Sequence, residues 1–227
     1  MQFLIQTNSA GRIEHDFAFT LMESVRYNNW LNNNKAMEIL LTDCNMFPGY
    51  IPIGSVEFVC DYLRKYYHRF PGPINIPDEL MGLEFTGRNV INGKHHDIQG
   101  RKFVKSNSII KMFTEICTEA PCGNYQISDV IDIDSEWRSF VYNGELVGLQ
   151  NYGGEFDMFP DVNKIKEMIA AYKSAPVAYT LDVGIVKGDT VIIEVHDFFS
   201  CGLYGFADHR KLPFMFERWF NEYINKK

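Results

Sequence analysis

The chain has 227 residues, of which 46% are hydrophobic and 22% are charged, and its formal net charge at pH 7 is -7. This composition is typical of a globular protein with enough apolar material for a core. The acidic balance argues against a nucleic-acid surface, which needs clustered Lys and Arg. No apolar stretch is long enough to span a bilayer, and no charged and apolar leader opens the chain, so we expect a cytoplasmic protein.

Five cysteines are spread along the chain without a CxxC pair: Cys44, Cys60, Cys117, Cys122 and Cys201. An odd number at wide spacing indicates neither a disulfide framework nor a zinc knuckle. We expect each of them to be a small buried hydrophobe in a reducing compartment.

The first 80 residues alternate between strand and helix patterns. Residues 3–7 and 37–42 are short apolar strands, residues 17–30 have helical spacing, and Ser55 is the N-cap candidate of a helix over residues 56–70. This alternation predicts a small α/β layer. The Pro-rich stretch over residues 71–77 marks its end, so we predict an N-terminal α/β region over residues 1–80 and a second domain over residues 81–227.

Strand patterns dominate from residue 88 onward, and two helices follow them. Strands are predicted over residues 88–92, 101–106, 125–133 and 136–152. Within the last of these, Asn143-Gly144 predicts a two-residue hairpin turn that sets Arg138 opposite Leu149 and Glu136 opposite Asn151. Asp161 is the N-cap candidate of a helix through residue 174, and residues 212–224 form an aromatic amphipathic helix.

A second hairpin over residues 178–205 carries the strongest chemical signal. A three-residue loop, Lys187-Gly188-Asp189, would place the apolar residues of the two strands on one face. The same register sets Asp182 across from Glu194, and facing carboxylates repel unless a cation lies between them. Mg²⁺ prefers carboxylate oxygens and nucleotide phosphates. With His196 on the same face, the pattern predicts a metal site at Asp182, Glu194 and His196, against the alternative of a solvated acidic face.

Four further residues are candidates for binding or catalysis. Lys105 ends a predicted strand and Lys111 follows a short loop, where a lysine can hold phosphate oxygens as a point charge, although lysines at such places are commonly solvated. Glu136 and Arg138 share one strand face, either as a surface salt bridge or as functional groups. The chain has no GxxxxGK[ST], GxGxxG or GxSxG motif, which removes the usual support for P-loop, dinucleotide-binding and α/β-hydrolase functions.

Several motifs together resemble those of the small ATP-grasp proteins of the RimK-like clade. Phe103-Val104-Lys105, Lys111, SEWRSFVYNGELVG, AYTLDVG and IIEVHDFFSCGLYG occur in the order and spacing of that clade, over about residues 88–206. The resemblance implies an α+β chain with the ATP-grasp fold, in which two α+β subdomains clamp ATP, preceded by the small α/β N-terminal layer.

The resemblance also implies roles for the candidate residues. Lys105 and Lys111 would contact the nucleotide phosphates, and a hinge at residues 127–131 would supply backbone to the adenine edge. Arg138 would neutralise the transferring phosphoryl group or a substrate carboxylate, with Glu136 orienting it. Asp182 and Glu194 would bind the metal, with His196 where the family usually has Asn. The hinge residues assigned to ATP binding are Ile127, Ser128, Asp129 and Val130, beside Glu136.

The implied function is an ATP-dependent ligase that joins a carboxylate to an amine or thiol through an acylphosphate, using ATP and Mg²⁺ and releasing ADP and phosphate. Its partners would be small-molecule or peptide carboxylates and amines, with no nucleic acid and no membrane, and the aromatic C-terminal helix allows an oligomer. His196 motivates the alternative of a catalytically weak ATP-binding module. A covalent nucleotidyltransferase ranks low because the sequence at Lys105 is KSNS rather than KxDG.

Overall fold

Residues 1–110 and 112–226 are described by the computed structural model, and their contacts group them into two units. The first unit contains Met1–Pro71, Pro176–Ala178 and Asp197–Lys227, and the second contains Gly72–Ala175 and Tyr179–His196. The C-terminal segment therefore groups with the N-terminal layer. The predicted domains, residues 1–80 and 81–227, are divided at the Pro-rich stretch over residues 71–77, and they stay a prediction.

Eleven strands and five α-helices are assigned within the described residues. The strands are β1 (Gln2–Gln6), β2 (Glu38–Thr42), β3 (Ile51–Ile53), β4 (Val90–Lys94), β5 (Lys102–Ser106), β6 (Thr114–Cys117), β7 (Asn124–Ser128), β8 (Ser135–Tyr142), β9 (Glu145–Gly154), β10 (Ala178–Val186) and β11 (Asp189–Asp197). The α-helices are α1 (Asp16–Leu31), α2 (Val56–Tyr67), α3 (Leu83–Thr86), α4 (Val162–Ala171) and α5 (Leu212–Asn225), and short 3₁₀ turns form at Asp78–Leu80 and His95–Asp97. Among the described residues no helix is long and apolar enough to cross a membrane.

The first unit is built around a parallel sheet of order β2-β1-β3. Three consecutive residues of β1, Phe3 to Ile5, are fully buried, as expected for a central parallel strand that is covered on both faces. Ser55 caps α2 as predicted, because its side chain accepts a hydrogen bond from the Phe58 amide at 3.2 Å. The helix ends at Tyr67 rather than at residue 70, because His68 adopts a left-handed conformation with φ 53°.

The second unit contains two four-stranded sheets, of order β4-β7-β5-β6 and β11-β10-β8-β9. In the first sheet β7 pairs antiparallel with both neighbours, so Lys105 lies opposite Gln126 and Phe103 lies opposite Ser128. Side chains of the second sheet pack with α4 in one apolar cluster that includes Trp137. Asp161 caps α4 as predicted, because its carboxylate accepts from the Asn163 amide at 2.8 Å.

The β8–β9 hairpin has the predicted turn but a different register farther from it. Asn143 and Gly144 both have positive φ, 52° and 74°, as a two-residue turn of this kind requires. Two bulges then shift the pairing, so the predicted partners are wrong: Arg138 lies opposite Gln150, and Glu136 lies opposite Gly153. A bulge adds an unpaired residue to one strand and moves all later side chains by one position relative to the partner.

The β10–β11 turn also differs from the prediction. β10 ends at Val186 and β11 begins at Asp189, so the turn contains only Lys187 and Gly188, with φ of 53° and 90°. Two positive φ values suit the right-handed twist of a hairpin. The alternation of buried and cleft-facing side chains along β11 is interrupted, because Ile192 and Val195 both join the apolar cluster whereas Ile193 lines a cleft of the second unit. The predicted single apolar row of β11 is therefore wrong.

The cysteines are only partly buried as predicted. Cys60 and Cys201 are buried, whereas Cys44 and Cys122 are exposed and Cys117 is intermediate. Both exposed cysteines lie in connecting segments outside the strands and helices, which run over the surface of a protein. Burial of all five was therefore a wrong prediction.

Candidate functional site

A cleft in the second unit is lined by residues from both of its sheets. The cleft is concave and partly open to solvent, which is the usual form of a small-molecule site. Apolar side chains form most of the walls. The polar and charged lining residues include Arg88, Lys105, Ser128, Asp129 and Glu194, and Val130 lies beside Asp129.

Lys105 and Glu194 face each other in this cleft. Lys105 is the penultimate residue of β5, and β11 supplies Glu194. The Lys105 ammonium donates to Glu194 Oε2, and the two side chains are only 7% and 16% exposed. The structure therefore brings together the predicted phosphate-binding lysine and one predicted metal ligand. A lysine so placed at a largely enclosed cleft is a point charge that can serve an anionic ligand.

The predicted hinge lies along the same cleft. β7 ends at Ser128, and the chain that follows leaves the sheet, where Ser128, Asp129 and Val130 line the wall. The Asp129 amide donates to the Asn89 carbonyl at 3.1 Å. The Lys102 ammonium donates to the Asp129 carboxylate at 2.5 Å and holds its pKa below the usual value. Ile127 instead packs into a small buried cluster with Val104 and Tyr125.

Arg138 is bound to Asp182 rather than simply aligned with Glu136. Arg138 Nε donates to Asp182 Oδ1 at 2.8 Å and Nη2 donates to Oδ2 at 2.7 Å, a two-point contact between neighbouring strands β8 and β10. The side chains are 9% and 3% exposed. Burial raises the pKa of the Asp182 carboxyl, the Arg138 hydrogen bonds oppose this rise, and the charge of Glu194 adds to it. The two predicted metal-ligand carboxylates therefore lie within electrostatic reach of each other.

Tyr152 is a residue of this site that the sequence did not predict. The Arg138 guanidinium carbon lies 5.7 Å from the centre of the Tyr152 ring. The pKa of Tyr152 is raised, first by burial and then by the charges of Asp182 and Glu136, and these two carboxylates are the possible acceptors for the single O–H of Tyr152. An unbulged hairpin would have turned Tyr152 away from Arg138. The β8–β9 bulge between Glu136/Gly153 and Trp137/Asn151 leaves Tyr152 unpaired on the Arg138 side.

The donor chemistry of these residues fits Mg²⁺. Asp182 and Glu194 offer carboxylate oxygens on neighbouring strands, and Mg²⁺ commonly takes one or two carboxylates together with phosphate oxygens. His196 is buried and would offer a nitrogen, which Mg²⁺ does not favour. Over residues 1–110 and 112–226 no group of three or more His, Cys, Asp or Glu side chains could hold a metal ion by itself. A metal here would therefore depend on the ligand for further oxygens. Lys111, the other predicted phosphate contact, lies outside the described residues.

Solved structures share the fold of this chain at low sequence identity. A RimK domain ATP-grasp protein from Sphaerobacter thermophilus DSM 20745 matches with a TM-score of 0.57 and 9% identity, covering 97% of this chain and 100% of that chain. D-alanine–D-alanine ligase from Bacillus anthracis, solved with ATP, matches with a TM-score of 0.54 and 10% identity, covering 100% of this chain and 98% of that chain. N5-carboxyaminoimidazole synthetase from Staphylococcus aureus matches with a TM-score of 0.56 and 9% identity, covering 86% of this chain and 69% of that chain.

At sequence identities this low, the structural matches establish the fold alone. The fold is the predicted α+β ATP-grasp fold. No curated protein matches the chain in sequence. A family profile described as ATP-grasp domain, R-two-K clade family 2, matches residues 85–212, more than half of the 227 residues. That span contains both sheets of the second unit and every candidate residue named above. The chain therefore belongs to the ATP-grasp domain family of the R-two-K clade, family 2.

Proposed function

We propose that this protein is an ATP-dependent ligase that joins a carboxylate to an amine or thiol through an acylphosphate. The observation that carries the proposal is the arrangement in the cleft, where the Lys105–Glu194 ion pair and the hinge residues Ser128 to Val130 line the same cavity. Phosphoryl transfer needs mostly positioning and charge neutralisation, and it needs no nucleophile from the protein. Buried cations beside a carboxylate pair meet both needs.

The proposed reaction has two steps. An oxygen of the substrate carboxylate attacks the γ-phosphorus of ATP, the bond from that phosphorus to the β–γ bridging oxygen breaks, and ADP leaves. The amine or thiol then attacks the acyl carbon, phosphate leaves with the electron pair of the broken carbon–oxygen bond, and the nucleophile loses a proton. Lys105 would neutralise charge on the nucleotide, and Arg138 would neutralise the phosphoryl group or the substrate carboxylate. Bound Mg²⁺ would supply further neutralisation of the phosphates.

The chain's own ion pairs support a coupling between nucleotide binding and metal binding. Lys105 forms an ion pair with Glu194, and Arg138 forms one with Asp182. Each of these two cations, proposed to bind phosphate or substrate oxygens, is therefore paired with a carboxylate that would hold Mg²⁺. If Mg²⁺ bound the two carboxylates, Lys105 and Arg138 would be free to bind oxygens of the nucleotide or the substrate. We therefore propose that Mg²⁺ and the nucleotide bind together more strongly than either does alone.

The substrates are proposed only by class, as small-molecule or peptide carboxylates and amines. Among the structures with this fold are a D-alanine–D-alanine ligase and a carboxyaminoimidazole synthetase, which supports a ligase reaction without indicating the acid or the amine. A cytoplasmic location, the lack of a nucleic-acid partner and an oligomeric state stay predictions.

A catalytically weak ATP-binding module is the second candidate. It is favoured by His196, which occupies a buried position beside Glu194 on β11 and offers nitrogen where oxygen suits Mg²⁺. Such a module would bind ATP but release no ADP with any acceptor, and His196→Asn would raise its turnover.

Calorimetric titration with a non-hydrolysable ATP analogue, with and without Mg²⁺, tests the proposal. Wild-type protein should bind the analogue more tightly with Mg²⁺. A panel of carboxylates and amines should then give ADP release that depends on both substrates. Lack of nucleotide binding in every condition would overturn both candidates, and binding without ADP release across the panel, together with a gain from His196→Asn, would favour the weak module.

A further inference from the structure

Arg88 is a buried cation of the cleft, and the sequence analysis did not predict a role for it. Its side chain lines the cleft and the residue is only 9% exposed. Over the part of the chain that the structure describes, Arg88 forms no ion pair, whereas the cleft's other cation, Lys105, is held by Glu194. Arg88 therefore brings a positive charge to the cleft that no neighbouring carboxylate neutralises directly.

Two carbonyl groups hold the Arg88 side chain in place. Its Nη1 donates to the Thr86 carbonyl at 3.0 Å and to the Ile192 carbonyl at 3.1 Å. Ile192 comes just before Ile193 and Glu194, which both line the cleft. A guanidinium has five N–H donors in a planar fork. One nitrogen thus anchors the group, and within residues 1–110 and 112–226 its remaining donors have no acceptor.

The environment of Arg88 disfavours its charge. Burial lowers the pKa of the guanidinium, and the charge of Asp129 only partly opposes this effect. Asp129 is itself engaged by the Lys102 ammonium at 2.5 Å and by Asn89. Arginine nevertheless stays protonated in proteins, so the buried charge carries a desolvation cost. Such costs are characteristic of functional sites, where a ligand supplies the missing counter-charge.

We propose that Arg88 is an anion-binding residue of the cleft and that it contacts phosphate oxygens of the bound nucleotide. The planar fork of arginine matches the oxygens of a phosphate and can bind two of them at once. The identity of the ligand rests on the proposed function, whereas the uncompensated charge of Arg88 does not. The competing role is purely structural, a tie between the Thr86 and Ile192 carbonyls.

A ligand series on the full chain separates the two roles. Adenosine, AMP, ADP and ATP are titrated calorimetrically, at constant Mg²⁺, into wild type, Arg88→Met, Arg88→Gln and Arg101→Met. Gln keeps an N–H donor but removes the charge. Arg101→Met is the matched control, because Arg101 is an exposed arginine of the same unit outside the cleft lining. The melting temperature of each free variant reports any structural loss.

Both Arg88 variants should bind at least one phosphate-bearing ligand about tenfold or more weakly than wild type, as expected for a lost hydrogen bond between charged groups. Adenosine binding should be unchanged, and Arg101→Met should bind like wild type throughout. The first ligand of the series at which wild type and variant differ identifies the phosphate that Arg88 contacts. If Arg88→Met does not fold, Arg88→Gln by itself carries the comparison.

Two results would overturn the inference while leaving the proposed function standing. One is an Arg88 variant that binds all four ligands like wild type. The other is an equal loss for adenosine and for ATP together with a lower melting temperature, which assigns Arg88 to the structural tie. If wild type binds none of the four ligands, the proposed function fails and the assignment of a nucleotide to Arg88 fails with it.

Discussion

Replacing Asp182 by Asn should strongly destabilise the second unit, because it removes the counter-charge of a buried arginine. Arg138 reaches Asp182 through two hydrogen bonds of 2.8 and 2.7 Å, and the side chains are 9% and 3% exposed. Asn has nearly the same volume as Asp, so the packing is retained. The substitution therefore removes only the negative charge and one of the two acceptors for Arg138.

The magnitude follows from the burial of the pair. Removing one partner of a buried ion pair costs about 3–5 kcal/mol, since the other charge stays desolvated. We expect the low end, about 3 kcal/mol, because the amide oxygen of the introduced asparagine still accepts one bond from Arg138. For a chain of this size that loss corresponds to a fall in melting temperature of about 6–12 °C.

Urea unfolding at pH 7.5, followed by tryptophan fluorescence and by circular dichroism, measures the change. Trp137 lies in the same unit and reports on it, and agreement of the two signals tests for a single transition. The control Asp157→Asn, an exposed position of the same unit, should stay within about 0.5 kcal/mol of wild type. The double variant Arg138→Met with Asp182→Leu should recover most of the loss, because apolar groups of similar size can replace a whole buried pair.

An Asp182→Asn variant as stable as the Asp157→Asn control would refute this reasoning. It would mean that Asp182 is already neutral at pH 7.5, as the rise of its pKa on burial would favour, so that replacing it by a neutral amide removes no charge. A double variant that shows the full loss of the single one would instead place the cost in packing.

Three further predictions concern the same fold. Mg²⁺ should raise the affinity of wild type for an ATP analogue and leave that of Glu194→Gln unchanged, and an equal Mg²⁺ response in both would count against the metal role. Tyr152→Phe should raise the pKa of Asp182, because it removes the hydroxyl whose hydrogen bond lowers that pKa. The midpoint of Mg²⁺-dependent nucleotide binding should therefore move to higher pH, and an identical pH profile would contradict this. Exposed Cys122 should react with a thiol reagent at pH 8, whereas Cys60, whose pKa burial raises to about 11, should react only on unfolding, and rapid labelling of Cys60 in the folded protein would contradict its burial.

Local sequence signals predicted local structure well. Ser55 and Asp161 cap the helices that follow them, and Asn143-Gly144 forms the turn of the β8–β9 hairpin. Each of these features depends on a few neighbouring residues, a side-chain oxygen close to free amides or a pair of residues that tolerates positive φ. The family resemblance, which rests on several motifs in order, likewise predicted the ATP-grasp fold correctly.

Strand register could not be predicted with the same success. The β8–β9 hairpin contains two bulges, and the glycines Gly153 and Gly154, which favour irregular strand geometry, lie beside the bulge farther from the turn. One extra residue reverses which side chains face the site, and Tyr152 was missed for this reason. The short strands β3 and β6 were also missed, since β3 contains Pro52 in a turn-rich segment and both have fewer than five residues.

The sequence by itself determined most element types, the helix caps, the family and most of the candidate residues, because these depend on residue identity and short-range spacing. Only the tertiary structure decided which of those residues meet. It pairs Lys105 with Glu194 and Arg138 with Asp182, it brings Tyr152 to the carboxylates, and it buries Arg88 in the cleft. These contacts join residues up to 104 positions apart. Lys105 and Glu194 meet because two sheets of one unit come together, whereas Arg138, Asp182 and Tyr152 meet through strand order and register within one sheet. Short-range patterns encode neither.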